Sequence, residues 1–148
     1  MSAARSVTAT FVPLRALAVA VTGSGTVTSA PAGISCPADC AEDYADGTVV
    51  TLSQAADPGW AFTGWSGDCT GTGACQVTMS AARSVTATFT QLRTLTVAVS
   101  GSGDVTSSPA GIACPGDCTE DYLDGTVVTL SQTADPGWLF TGWSGDCS

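Results

Sequence analysis

Apolar and polar residues alternate along several short segments of the chain, and alternation at every second residue predicts strands with one buried face. Turn-forming residues separate the segments, and Gly23-Ser24-Gly25 is typical of a hairpin. A second hairpin is expected around residues 80–84. The pattern therefore predicts an all-β fold. The side chains expected to face inward are Leu17, Val19, Val21, Val50, Leu52, Val85, Ala87 and Phe89.

The chain also repeats itself. Residues 79–89 have the same sequence as residues 1–11, so the period is 78 residues, the offset from Met1 to Met79. A fixed period of this size predicts an array of small modules. Residues 1–11 are then the closing strand of a preceding or neighbouring module. Residues 12–89 form a complete module, and residues 90–148 form a second module that lacks its last strands.

All four tryptophans lie in two aromatic stretches that follow an Asp-Pro-Gly turn. In a small module such side chains supply much of the core, because each can bury about 150–250 Å². The competing interpretation is a stacking platform for a carbohydrate or another ligand, which would require Trp60 and Trp65 to be exposed. The predicted aromatic core consists of Trp60, Phe62, Trp65 and Phe89, with Trp138, Phe140 and Trp143 in the second module.

Seven cysteines at short, repeated spacings indicate an oxidising compartment outside the cytoplasm. Zinc is the alternative, but the chain has no histidine and the cysteine loops are acidic and isolated. Disulfides are therefore predicted, and they would reinforce a module with a small core. Cys147 would be left unpaired or available for an intermolecular bond. The predicted bridges are Cys36–Cys40, Cys69–Cys75 and Cys114–Cys118.

The chain carries a net charge of −9, which disfavours nucleic acid and anionic membranes as partners. No apolar run approaches the roughly 20 residues of a membrane-spanning helix. Without histidine or lysine there is no evident base beside a nucleophile, and no cofactor is indicated. A paired-carboxylate glycosidase would have to use Asp39, Asp43 or Asp68. We therefore predict a protein that is not an enzyme.

Two acidic clusters, at residues 42–47 and 120–125, raise the possibility of calcium, which prefers carboxylate oxygens. Neither cluster has the alternating ligands and distal glutamate of an EF-hand. A solvated turn leading into the next strand is the favoured interpretation, and weak calcium binding is the alternative. The carboxylates concerned are Asp43, Asp46, Asp121 and Asp124.

These motifs together resemble the divergent internalin-type B-repeat of bacterial surface and secreted proteins. The resemblance rests on PGWAFTGWSGDC at residues 58–69, on GTGAC at residues 71–75 and on VTATF at residues 85–89. It implies a tandem module at the cell surface or in the secreted fraction of a bacterium. It also implies a compact β fold akin to the β-grasp, to which a small sandwich is the alternative. The family has no catalytic residues to carry over.

We expect a structural role in an extracellular stalk, adhesin or fibre. The incomplete second module predicts a further partner, because Val7, Ala9 and Phe11 of one copy match the strand that this module lacks. Chains would then join head to tail. The alternative source of the strand is an adjacent repeat of a longer polypeptide. The runner-up function is adhesion, with the tryptophans and acidic loops binding a glycan or another host or surface ligand.

Overall fold

The computed structural model describes residues 5–147, which divide into two compact units on either side of the Thr90–Gln91 bond. The described residues form twelve strands and contain no helix able to span a bilayer. The strands are β1 Leu14–Thr22, β2 Gly25–Ala30, β3 Ser35–Cys36, β4 Ala41–Ala45, β5 Val49–Ala56, β6 Trp60–Gly67, β7 Cys75–Thr78, β8 Arg83–Thr96, β9 Gly103–Ser108, β10 Ala113–Cys114, β11 Thr119–Leu123 and β12 Thr129–Ala134.

The first unit contains two four-stranded sheets. One has the order β6-β8-β1-β4, and the other has the order β3-β2-β5-β7. β1 lies between β4, which is antiparallel to it, and β8, which is parallel to it from Leu17 opposite Arg83 to Thr22 opposite Thr88. Both sheets contribute to one core, so the unit is a small sandwich rather than a β-grasp.

Seven of the eight predicted inward-facing residues form that core, and the eighth, Val21, is half-buried against it. The alternating strands bury every second side chain, because successive residues of a strand point to opposite faces. Trp65 is buried with them, and Trp60 and Phe62 are half-buried at the margin. The core members predicted from the sequence and now found buried are Leu17, Val19, Val50, Leu52, Val85, Ala87 and Phe89.

Both predicted hairpins are wrong. β1 and β2 flank the Gly23–Gly25 turn but belong to different sheets, and β7 and β8 likewise separate into different sheets. Each turn carries the chain across the sandwich. Gly23 allows the crossing, since its φ is +85° and a Cβ there would lie 2.1 Å from the carbonyl oxygen of Phe89.

Both acidic clusters also differ from the favoured prediction. Residues 41–45 and 119–123 are not solvated turns but strands β4 and β11, in which Tyr44 and Tyr122 are buried. β4 pairs with β1. In the first cluster only Asp46 and Gly47 form the turn. The preceding cysteine loop likewise gains a sheet partner, because Cys36 pairs with Val27 of β2.

In the second unit, strands form where their partner strands are also present. β9, β10 and β12 form one sheet, and β11 pairs with residues 92–96 of β8. Three segments that are strands in the first unit are not strands here: residues 97–100, 127–128 and 138–145. In the first unit the corresponding segments pair with β7 or with the first half of β8. Strand structure is therefore missing where the partner strand is missing.

Candidate assembly site in the second unit

In the first unit the aromatic strand β6 pairs with residues 83–89 of β8, the closing strand. The Phe89 side chain of the closing strand packs on Phe62 of β6. The ring of Phe62 makes edge-to-face contacts with Trp65 and with Phe89, at centroid distances of 5.0 and 5.4 Å. The indole N–H of Trp65 donates to the carbonyl oxygen of Gly73 at 3.0 Å. These contacts make Trp65 a core residue with a satisfied polar group rather than a stacking platform.

The second unit presents the same aromatic residues to solvent. Trp138 is 57% exposed and Trp143 is 36% exposed. Trp65 is the period-mate of Trp143, the equivalent residue one 78-residue period away, and it is 6% exposed. Phe140 is also exposed, although it keeps an edge-to-face contact with Trp143 at 5.1 Å. The prediction that Trp138, Phe140 and Trp143 lie in a core is therefore wrong for this chain. The physical reason is that no strand among the described residues of the second unit occupies the place of the closing strand.

The uncovered residues line an open groove of about 380 Å³. Its lining comes from the end of β8 with the non-strand residues that follow it to residue 100, from β9 and β12, and from the aromatic stretch. Its apolar lining includes Leu95, Val97, Val99, Leu130, Trp138 and Phe140. Polar side chains such as Ser102, Gln132 and Thr133 share the lining with these apolar ones. A groove of this kind can receive a strand that has one apolar and one polar face.

The part of the second unit around Tyr122 and Ile112 is packed in the same way as the equivalent part of the first unit. Tyr122 and Ile112 are buried, as are their period-mates Tyr44 and Ile34. The hydroxyl of Tyr122 lies 2.8 Å from the Oγ of Ser107, which also accepts a hydrogen bond from the backbone N–H of Ile112. The groove is therefore a local opening in a unit that is otherwise folded.

The second unit has an uncovered groove, whereas the N-terminal segment has apolar side chains that nothing covers. Residues 5–13 belong to no strand, and Val7 and Phe11 are 94% and 92% exposed. Ala9 is exposed as well. Residues 1–4, the remainder of the predicted closing strand, lie outside the described residues. The assignment of this segment to a neighbouring module stays a prediction.

Three disulfides join the cysteines that the spacing paired: Cys36 to Cys40, Cys69 to Cys75, and Cys114 to Cys118. Cys147 is free and exposed. It is the period-mate of Cys69. The counterpart of Cys75, the partner of Cys69, is not among the 148 residues of the sequence.

Two of the calcium candidates are bound to arginine side chains. Asp46 accepts a hydrogen bond from Arg15 at 2.7 Å, and Asp124 accepts one from Arg93 at 2.8 Å. Asp121 accepts a hydrogen bond from the hydroxyl of Thr94, while the fourth candidate, Asp43, is exposed. The described residues contain no cluster of three or more cysteine or carboxylate side chains that could hold a metal ion.

Asp68 holds the closing strand in place. Its carboxylate accepts hydrogen bonds from the Ser84 backbone N–H at 2.7 Å and from Arg83 at 2.9 Å, and its own N–H donates to the Ser84 carbonyl at 2.9 Å. The Ser84 N–H, followed by Arg83, keeps the pKa of Asp68 below its ordinary value. A glycosidase acid needs a raised pKa. Sequence reasoning missed this contact, because Arg83 and Ser84 lie 15 and 16 residues beyond Asp68.

One family model matches most of the chain. The divergent InlB B-repeat domain matches residues 16–93 and again residues 93–148. The two matches follow the two structural units closely. Searches of curated proteins and of solved structures found no significant match.

Proposed function

Because the chain belongs to the divergent InlB B-repeat family, we propose that it is a non-catalytic structural repeat of an extracellular bacterial surface stalk, adhesin or fibre. The disulfides support a location outside the cytoplasm, since such bonds persist in oxidising compartments. A small sandwich with a small core gains stability from them. The acidic surface and the repeat architecture support an extended array in solution rather than binding to polyanions.

Copies of the chain join head to tail by strand complementation. The proposal is supported by the open groove of the second unit, together with the exposed residues 5–11, whose sequence is that of residues 83–89 in the first unit. Val7, Ala9 and Phe11 would occupy the positions that Val85, Ala87 and Phe89 fill in the first unit. An uncovered strand edge accepts such a segment through main-chain hydrogen bonds, and alternate side chains set its register.

The energy of the contact comes mainly from two side chains. Val85 and Phe89 are 0% and 2% exposed, while Val7 and Phe11 are almost fully exposed. Burying each is worth about 1.5–3 kcal/mol before the cost of association. Trp138 and Trp143 would be covered at the same time. Because donor and acceptor are different surfaces, the contact repeats into a fibre unless it closes into a ring.

Sedimentation velocity and electron microscopy test the proposal. The intact chain should form concentration-dependent oligomers or fibres, and deletion of residues 1–11 should abolish them. Phe11→Ala should weaken assembly, whereas the neighbouring Thr10→Ala, on the outer face of the donated strand, should change it little. Equal assembly after the deletion would refute strand donation. A chain that stays monomeric at every concentration would instead favour an adjacent repeat of a longer polypeptide as the source.

The runner-up function is adhesion through a glycan or another surface ligand. The exposed Trp138 and Trp143 support it, whereas buried Trp65 in the complete unit counts against it. Titrating the variant without residues 1–11 with soluble oligosaccharides separates the two functions. Saturable quenching of tryptophan fluorescence that Trp138→Ala abolishes would favour adhesion. Burial of the same tryptophans by a synthetic peptide of residues 1–11 favours assembly.

A further inference from the structure

Three of the four arginines form ion pairs with aspartates. Two of the pairs are equivalent, because both partners are related by the 78-residue period. The pairs are Arg15 with Asp46 at 2.7 Å, Arg93 with Asp124 at 2.8 Å, and Arg83 with Asp68 at 2.9 Å.

The third pair also has period-mates, but they do not meet within the chain. Arg5 corresponds to Arg83, and Asp146 corresponds to Asp68. Both are exposed, and neither forms an ion pair within residues 5–147. Arg5 lies in the segment that would be donated, and Asp146 lies beside the groove that would receive it. The two halves of the contact are therefore on the donor and on the acceptor.

We propose that Arg5 of one copy and Asp146 of the next form the fourth pair and set the register of the donated strand. This inference rests on the proposed strand complementation. The first unit provides the geometry: Asp146 would accept from the Arg5 guanidinium and from the backbone N–H of Ser6. Its own N–H would donate to the Ser6 carbonyl, as the N–H of Asp68 does to the carbonyl of Ser84.

The alternating apolar pattern alone does not fix the register of the donated strand. A slip of one residue would turn Thr8 and Thr10 towards the aromatic side chains of the groove and leave Val7, Ala9 and Phe11 in solvent, which is disfavoured. A slip of two residues keeps the same face inward and is less strongly opposed by the alternating pattern. It would, however, move the guanidinium about 6.6 Å along the strand, beyond reach of the Asp146 carboxylate. The ion pair therefore distinguishes two registers that the apolar face distinguishes poorly.

The backbone beside Asp146 already has the shape that the contact requires. Gly67 precedes Asp68 with a φ of +90°, and a Cβ there would lie 2.5 Å from the Ser84 carbonyl oxygen. Gly145 precedes Asp146 with a φ of +87°, and nothing lies within 4 Å of the corresponding Cβ position. The space that the closing strand occupies in the first unit is therefore vacant beside Gly145, and the Ser6 carbonyl of the donated strand would occupy it.

Charge reversal in the intact chain tests the inference. Arg5→Asp alone would place two carboxylates together, and Asp146→Arg alone would place two guanidinium groups together. Each should raise the head-to-tail dissociation constant roughly 10- to 100-fold, the range for a lost charged hydrogen bond. An equimolar mixture of the two variants should recover wild-type assembly. When the two variants alternate along the fibre, every interface joins an aspartate to an arginine. The double variant should also assemble alone. Both residues are exposed, so the urea unfolding midpoint of the monomers should not change.

The outcomes separate this pair from the strand contact itself. Single variants that assemble like the wild type, while Phe11→Ala still weakens assembly, would overturn the ion pair and leave strand donation intact. Single variants that weaken assembly but fail to recover on mixing would also overturn it, because the charges would then act elsewhere. Assembly that is insensitive to deletion of residues 1–11 would refute the proposed function.

Discussion

Phe89 and Phe11 are the same residue one period apart, in the same local sequence, with opposite surroundings. Phe89 is 2% exposed and packs edge-to-face on Phe62, whereas Phe11 is 92% exposed. The space of the Phe89 ring is closed from the opposite sheet as well, since a Cβ at Gly25 would come within 2.6 Å of it. Truncating this ring would leave a cavity bounded by rigid backbone, which relaxes poorly.

Phe89→Ala should therefore destabilise the first unit by about 3–5 kcal/mol. In a monomeric sample Phe11→Ala should cost less than about 0.5 kcal/mol, as is usual for exposed positions. Urea unfolding followed by tryptophan fluorescence measures both, because Trp60 and Trp65 report on the core that Phe89 completes. The protein concentration should be one at which sedimentation shows monomers, so that assembly does not contribute.

A domain has only about 5–15 kcal/mol of stability in total, so Phe89→Ala can unfold the unit outright. Phe89→Leu keeps most of the volume and should cost less than about 1.5 kcal/mol, which gives a measurable second variant. A loss below about 1 kcal/mol for Phe89→Ala would refute the packing of the Phe89 ring between Phe62 and Gly25. A loss of several kcal/mol for Phe11→Ala in the monomer would mean that the N-terminal segment already packs within its own chain.

Two further predictions concern covalent and ionic contacts. Thiol titration of the unreduced, unfolded chain should find one free thiol, at Cys147, and non-reducing peptide maps should contain the three short bridges; a long-range Cys36–Cys114 bridge would contradict this pairing. The pKa of Asp68 is lowered on folding, so its contribution to stability is complete above the ordinary value of 3.8 and is lost as the pH falls through the lower folded value. Asp68→Asn should therefore lose less stability than the wild type when the pH falls below 3.8, and parallel acid unfolding curves would contradict that expectation.

The alternating pattern predicted the strands and their inner faces, because burial of every second residue is a local property of each segment. It could not predict which sheet a strand joins. Gly23-Ser24-Gly25 has the chemistry of a hairpin turn, yet the same positive φ at Gly23 carries the chain from one sheet to the other. Turn residues fix a change of direction, and only packing of the whole sandwich decides the partner.

The candidate site was predictable in part. The repeat identified residues 1–11 as a copy of the closing strand, and that comparison needs no structure. The exposure of Trp138 and Trp143 was not predicted, since period-mates were expected to share one environment. The ion pairs were also missed. Arg15 and Asp46 are 31 residues apart, and both recur with the period, so the sequence does not show which acid each arginine meets.

The parallel pairing of β1 with β8 determines how the first unit responds to tension. The chain enters the unit at the beginning of β1 and leaves it through β8, and the two strands run in the same direction over six residue pairs. A pull on the two ends therefore slides one strand along the other. All the hydrogen bonds between them must break together instead of opening one after another. This shear geometry raises the force needed for unfolding, a rate-governed quantity that is separate from equilibrium stability.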